Sequence, residues 1–141
     1  MATERGYAYF DVEADVGIRA WAPDPAGAFA EAARGVFALV VDPATVEPRE
    51  NREVRAQGES PEALLVNWIN EGLYVQEIEG FAVSTVEVTV CTETLVHGFL
   101  RGEPLDDARH RVGTIVKAAT FHRVSVSEQA GHVEVALIVD V

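Results

Sequence analysis

The seven residues Val135-Ala136-Leu137-Ile138-Val139-Asp140-Val141 are apolar and largely β-branched, with one carboxylate among them. Such a run belongs in the interior of a sheet, so the chain must provide strands on both sides of it. The second half is rich in them. Phe81–Cys91, Thr94–Arg101, Thr114–Val126 and His132–Val141 all read as strands. Hairpin turns are expected near Thr92-Glu93 and at Gln129-Ala130-Gly131, where the glycine can take a positive φ. Earlier, Tyr7–Asp11 and Val16–Trp21 alternate in the manner of half-buried strands, and Arg52–Gln57 is a more polar candidate. Two helices interrupt this pattern. Asp24-Pro25 reads as an N-cap followed by proline at the first helical position, and the helix it opens runs to about Leu39. Phe29, Ala32, Ala33, Val36, Phe37 and Val40 form its apolar stripe, and Asp42-Pro43 ends it. Ser60-Pro61 repeats the same start, and Gly80 closes the second helix after about Glu79. In that helix Leu64, Leu65, Trp68, Ile69 and Leu73 oppose a polar face of Asn67, Asn70, Glu71 and Tyr74. The expected fold is therefore a single α+β domain over residues 1–141, with a mainly antiparallel sheet and two amphipathic helices packed on one face as a lid.

Charge narrows the partners. Eleven Lys and Arg against 23 Asp and Glu leave a net charge of −12, which repels phosphate backbones. Direct nucleic-acid binding is not expected; a basic protein or a hard cation is. The longest apolar run, Phe37–Val41, falls far short of the roughly 18 to 20 residues of a membrane span. The first residues lack the basic and then apolar pattern of a signal peptide, and Cys91 is the lone cysteine, so a cytoplasmic setting is expected. Cys91 sits in a strand pattern and reads as a structural thiol rather than a nucleophile. No phosphate-binding loop, nucleophile elbow or dinucleotide fingerprint is present in the sequence.

The residues best suited to chemistry are carboxylates. Asp11, Glu13 and Asp15 are two apart, so an extended backbone would put all three on one face. Asp140 stands alone in an apolar strand, where a buried charge requires a cationic partner. If that strand packs beside Asp15, the carboxylate of Val141 joins them. Two such groups 4 Å apart repel by roughly 4 kcal/mol at an effective dielectric near 20, a penalty that a bound divalent cation removes. Oxygen-only ligands favour Ca²⁺, Mg²⁺ or Mn²⁺. A second group comprises Asp106, Asp107, Arg109 and His110, followed by Lys117, the sole ammonium side chain, and His122. On a regular strand Lys117 and His122 would face opposite sides. His110 and His122 lack metal-ligand spacing, and His97 and His132 have no evident partner. A metal-dependent phosphoester hydrolase using Asp15 and Asp140, or a general protein-binding or chaperone module using the Asn67, Asn70, Glu71 and Tyr74 face, are the alternatives these residues leave open.

Several blocks, in order, resemble the archease family: Phe10-Asp11-Val12-Glu13-Ala14-Asp15-Val16-Gly17-Ile18-Arg19-Ala20, Leu64-Leu65-Val66-Asn67-Trp68-Ile69-Asn70-Glu71, Glu79-Gly80-Phe81, Arg109-His110, Val116-Lys117-Ala118-Ala119-Thr120-Phe121-His122 and Val139-Asp140-Val141. The family pattern has His-Thr where this chain has Val12-Glu13, commonly an aspartate at Asn67 and commonly a glycine at Arg123. The resemblance implies an accessory protein, not an enzyme. Its role would be to activate an RtcB-type RNA-splicing ligase, promoting guanylylation and multiple turnover. It further implies a metal site, described for Ca²⁺, at Asp15, Asp140 and Val141, and a part in activation for Lys117.

Overall fold

The computed structural model describes residues 4–141. Its strands are β1 (Gly6–Val12), β2 (Asp15–Ala22), β3 (Glu50–Gln57), β4 (Phe81–Cys91), β5 (Leu95–Pro104), β6 (Ala118–Gln129) and β7 (His132–Asp140). Helix α1 spans Pro25–Val40 and α2 spans Pro61–Glu79, with one 3-10 turn at Pro43–Thr45. Both helix starts are those the sequence predicts. The Asp24 carboxylate accepts from the Gly27 N–H at 2.7 Å, and the Ser60 hydroxyl accepts from the Ala63 N–H at 3.1 Å. Gly80 ends α2 in the left-handed region at φ 59°.

The antiparallel α+β class holds, but the strands form two sheets, ordered β1-β2-β7-β6 and β3-β5-β4. β7 lies inside the first sheet between β2 and β6, as its apolar run requires. The helices are more than a lid. α1 packs on β1, β2 and β7 of the first sheet and on β4 of the second, while α2 packs on β6 and on β3, β4 and β5. One core therefore joins both helices to both sheets.

This double contact explains why α1 is buried almost all round from Gly27 to Phe37, with only Arg34 partly exposed, instead of on one stripe. Its small residues permit the close approach: a Cβ on Gly35 would lie 3.0 Å from both Ile18 and Tyr7. Glu31, on what would be a solvent face of a lid helix, is 1% exposed. It is neutralised by Arg5 and Arg34, each at 2.8 Å.

Two local departures shape the site. The predicted strand Thr114–Val126 begins only at Ala118, because β7 ends at Asp140 and offers no earlier ladder partner. The preceding residues bond instead to the end of α1, with the N–H groups of Gly113 and Thr114 donating to Val40 and Leu39 carbonyls at 2.8 and 2.7 Å. Within β6 the register moves from Thr120↔Ile138 to Ser125↔Ala136, so residues 121–124 bulge opposite the single residue Leu137. Arg123 in this bulge has φ 57°, a conformation that costs a non-glycine residue roughly 1 to 2 kcal/mol. Among the described residues no helix is long and apolar enough to cross a membrane.

Candidate functional site

β1 and β2 turn through Glu13 and Ala14, with Val12 paired to Asp15 and Ala14 at φ 66°. Asp11, Glu13 and Asp15 therefore do not share the face of one strand, contrary to the sequence reading. Asp11 pairs with Val16, one step out of phase with Asp15, so their side chains leave opposite faces, and Glu13 is exposed in the turn. A two-residue hairpin reverses the direction that the spacing argument took as continuous.

Asp15 and Asp140 are brought together. The β2–β7 ladder ends at the Val16↔Val139 pair, and Asp15 and Asp140 are the next residues of their strands beyond it, so continuing the register by one residue would set them opposite each other. Opposed antiparallel residues have Cα atoms about 4.5 to 5.5 Å apart. On the other side of Asp140 stands Ala118 of β6, and the Lys117 N–H donates to the Asp140 carbonyl at 2.9 Å. Val141 continues from Asp140, so Asp15, Lys117, Asp140 and Val141 occupy one end of one sheet.

Both aspartates are half-buried, and among the described residues neither carboxylate has an ion pair or hydrogen bond. The cationic partner expected for Asp140 is thus not supplied by Lys117, whose side chain is exposed, nor by Arg19, which pairs with Glu134 at 3.3 Å. Asp140 sits at the strand end, where solvent reaches it, rather than in the buried middle. The donor chemistry fits a hard cation, because every available atom is oxygen. Among the described residues no three His, Cys, Asp or Glu side chains cluster at metal-binding distance.

Arg109 and His110 serve a different centre that the sequence reading missed. Glu103, 2% exposed at the end of β5, receives the Glu47 N–H at 2.9 Å and His110 Nε2 at 2.9 Å. Arg109 bonds both its oxygens at 3.2 and 3.3 Å, and Arg49 lies at 3.6 Å. His110 Nδ1 accepts from the Asp106 N–H at 2.9 Å, which leaves the proton on Nε2 to donate to Glu103. This network pins the 105–111 segment to β5. Its only sequence signal was an isolated glutamate six and seven residues ahead of Arg109 and His110.

The Glu47 N–H first, and then the His110 hydrogen bond, outweigh burial and, with Arg109, lower the Glu103 pKa from 4.5 to about 2. A depressed carboxyl contributes stability that is fully present above its unfolded pKa and lost as pH falls through the folded value. Thermal melts of the wild type are therefore expected to lose stability between pH 4.5 and about 2 more steeply than melts of Glu103→Gln. Parallel slopes would show that Glu103 does not carry this linkage.

His122 is exposed in the β6 bulge, and Lys117 precedes the strand, so the regular alternation assumed for the pair does not apply. His97 and His132 do have partners, Glu53 at 2.7 Å and Glu134 at 3.6 Å, which only the strand arrangement reveals. Burial, reinforced by the charges of Asp24 and Glu128, pushes the Cys91 thiol up to about 11, consistent with a structural cysteine. On the polar face of α2, Asn67 donates to the Gln57 carbonyl at 2.7 Å. Asn70 both donates to the Ala119 carbonyl at 3.3 Å and accepts its N–H at 2.7 Å, standing in for a strand neighbour of β6. That face is in part structural.

Fold and site define a small α+β protein whose two helices are each held against two antiparallel sheets, with a pair of carboxylates at one end of the larger sheet. The chain belongs to the Archease protein family (MTH1598/TM1083), whose model matches residues 7–141. It is 37% identical over 130 residues to protein archease of Methanopyrus kandleri, covering 90% of this chain and 93% of that one. It is 33% identical over 136 residues to protein archease of Sulfurisphaera tokodaii, covering 96% and 98%. The solution structure of Methanobacterium thermoautotrophicum protein 1598 superposes with a TM-score of 0.79 at 28% identity, covering 96% of this chain and 99% of that one. The fold is shared with a Thermotoga maritima archease described as a possible chaperone, at TM-score 0.62 and 16% identity over 94% of each chain.

Proposed function

We propose that this protein is an accessory activator of an RtcB-type RNA-splicing ligase in the cytoplasm, and not itself an enzyme. It would promote ligase guanylylation and turnover in tRNA splicing and RNA repair. Asp15, Asp140 and the oxygens of Val141 would hold a divalent cation, Ca²⁺ in the first place and Mg²⁺ or Mn²⁺ as substitutes. Lys117, displayed beside them, would meet phosphate charge in the ligase's nucleotide site. The observation that carries this reading is that Asp15 and Asp140, both half-buried and without an ion pair among the described residues, lie at the same end of adjacent strands, with the Lys117 N–H donating to the main-chain carbonyl of Asp140. When bound, the cation would cancel the repulsion between them and add positive charge near the reacting phosphate. The net charge of −12 suits a partner that is basic because it binds RNA, and keeps the activator off the RNA itself.

The test is a guanylylation assay of a purified ligase with GTP, its own metal held constant. This protein is added either stripped by chelator and dialysed, or reloaded with Ca²⁺. The reloaded protein is expected to accelerate guanylylation and the stripped protein to do so much less. Absence of any acceleration overturns the proposal, and phosphoester hydrolysis by the protein alone would put the hydrolase reading in its place.

A further inference from the structure

Residues 105–117 join β5 to β6 with no helix or ladder of their own, apart from one bridge between Val112 and Val41. A stretch of this kind keeps its course only through bonds to other elements, and this one is bonded at intervals along its length. The Leu105 N–H donates to the Gly80 carbonyl at 2.7 Å, where α2 ends. Arg109 and His110 are held by Glu103. The Arg111 N–H donates to the Thr45 hydroxyl at 3.1 Å, and its carbonyl accepts the Asp42 N–H at 2.8 Å. Gly113 and Thr114 then donate to the end of α1, Val116 enters the core at 9% exposure, and the Lys117 N–H donates to the Asp140 carbonyl.

The contact at α1 tolerates the least change. α1 ends at Val40 with Val41 as its cap and no basic residue in its last turn, so its final carbonyls need donors from elsewhere. The N–H groups of Gly113 and Thr114 are those donors for Val40 and Leu39. Only a glycine lets the chain lie this close, since a Cβ on Gly113 would stand 2.4 Å from the Leu39 carbonyl oxygen. Ordinary contact needs about 3.5 Å, so any side chain there pushes the segment about 1 Å off the helix. Thr114 is fastened to the same turn of α1, which leaves Ile115 alone to take up the displacement before Val116 and Lys117. The Lys117 side chain is exposed and, among the described residues, makes no ion pair or hydrogen bond. The reach of its ammonium group is therefore decided by where the main chain sets it.

We infer that residues 105–117 are a strap whose fastening to the end of α1 sets where Lys117 stands beside Asp140, with Gly113 as the positioning residue of that fastening. This deepens the function proposed above and rests on the part given there to Lys117. A misplacement of 1 Å can cost about 10²-fold in rate even when the change lies away from the chemistry.

Stimulation of ligase guanylylation is measured at saturating concentrations of Gly113→Ala, Lys117→Ala and the double variant. Thr45→Val loosens the same strap more mildly, through the Arg111 N–H. Gly113→Ala is expected to lower stimulation at least tenfold in the otherwise wild-type chain. Once Lys117 is alanine it should have no further effect, within twofold, because both changes act through one group. A change that merely weakened the fold would cost the same factor in both backgrounds. Thr45→Val is expected to lower stimulation at least twofold. In both strap variants amide exchange at Gly113, Thr114 and Lys117 should quicken, while the calcium-induced shift in melting temperature stays at its wild-type value. Wild-type stimulation by folded Gly113→Ala overturns the inference, as does an equal further loss in the Lys117→Ala background. If Gly113→Ala does not fold, wild-type stimulation by Thr45→Val overturns it instead. Should Lys117→Ala itself stimulate like wild type, the part proposed for Lys117 fails and the strap's role with it, while the carboxylate pair keeps its own. If the wild-type protein does not stimulate the ligase, the proposed function fails and the inference falls with it.

Discussion

Asp15→Asn and Asp140→Asn are each expected to abolish the stimulation of ligase guanylylation, while the cation-free protein melts no lower than wild type. Loss of function and gain of stability in one substitution follow from the geometry. The two residues are the next beyond the Val16↔Val139 pair that ends the β2–β7 ladder, and their carboxylates have no ion pair or hydrogen bond among the described residues. Like charges directly opposite in a ladder destabilise by roughly 0.2 to 1 kcal/mol, so neutralising one relieves that strain. For a domain of this size that amounts to an upward shift of a few degrees at most. Calcium should reverse the ranking. A ligand that binds only the folded state at about 100 times its Kd stabilises by about 2.7 kcal/mol, and this gain is expected in the wild type and absent in both variants. Full stimulation by either variant, or an undiminished calcium-induced shift in melting temperature, would remove the assigned role of the pair.

Trp68→Ala is expected to be the most damaging single change to the fold, costing about 3 to 5 kcal/mol in a guanidinium titration. Trp68 is 1% exposed, and its indole N–H donates to the Phe29 carbonyl at 3.0 Å. Its ring also lies 3.0 Å from where a Cβ on Gly98 would sit. One side chain thus joins α2 to α1 and to β5 of the smaller sheet. Truncation removes contacts with three elements, and rigid backbone on two sides limits how far the gap can close. Against a typical total of about 5 to 15 kcal/mol, that leaves a protein close to its unfolding threshold. A loss below about 1 kcal/mol would mean that the helices and sheets are held together elsewhere.

The elements of this fold were legible because their signals are local. Asp24-Pro25 and Ser60-Pro61 start helices through bonds to backbone N–H groups three residues away, and Gly80 ends one by its own φ. α2 and β4 have the bounds that the residue pattern predicts, Pro61–Glu79 and Phe81–Cys91. The positive φ of Gly131 sits in the expected turn. Asp140 stands out because a carboxylate is costly in the apolar run that holds it, and Asp15 because of its spacing from Asp11 and Glu13. Asp11 and Glu13 were misplaced because spacing along a chain does not reveal where a hairpin reverses it.

What the sequence by itself determined is the inventory: two capped helices, a set of strands able to pair antiparallel, an interior strand near Val139, and an excess of negative charge. Only the tertiary structure decided that the strands divide into two sheets with both helices against each, which makes α1 a buried core helix instead of a lid. It also brought the Asp15 end of β2 and the Asp140 end of β7 to one end of one sheet, and gave Glu103 its partners from four separate positions. The reason is physical. Caps, turns and periodicity depend on atoms a few residues apart, whereas register and ion pairing depend on which distant surfaces fit together, and that is settled when the whole core closes.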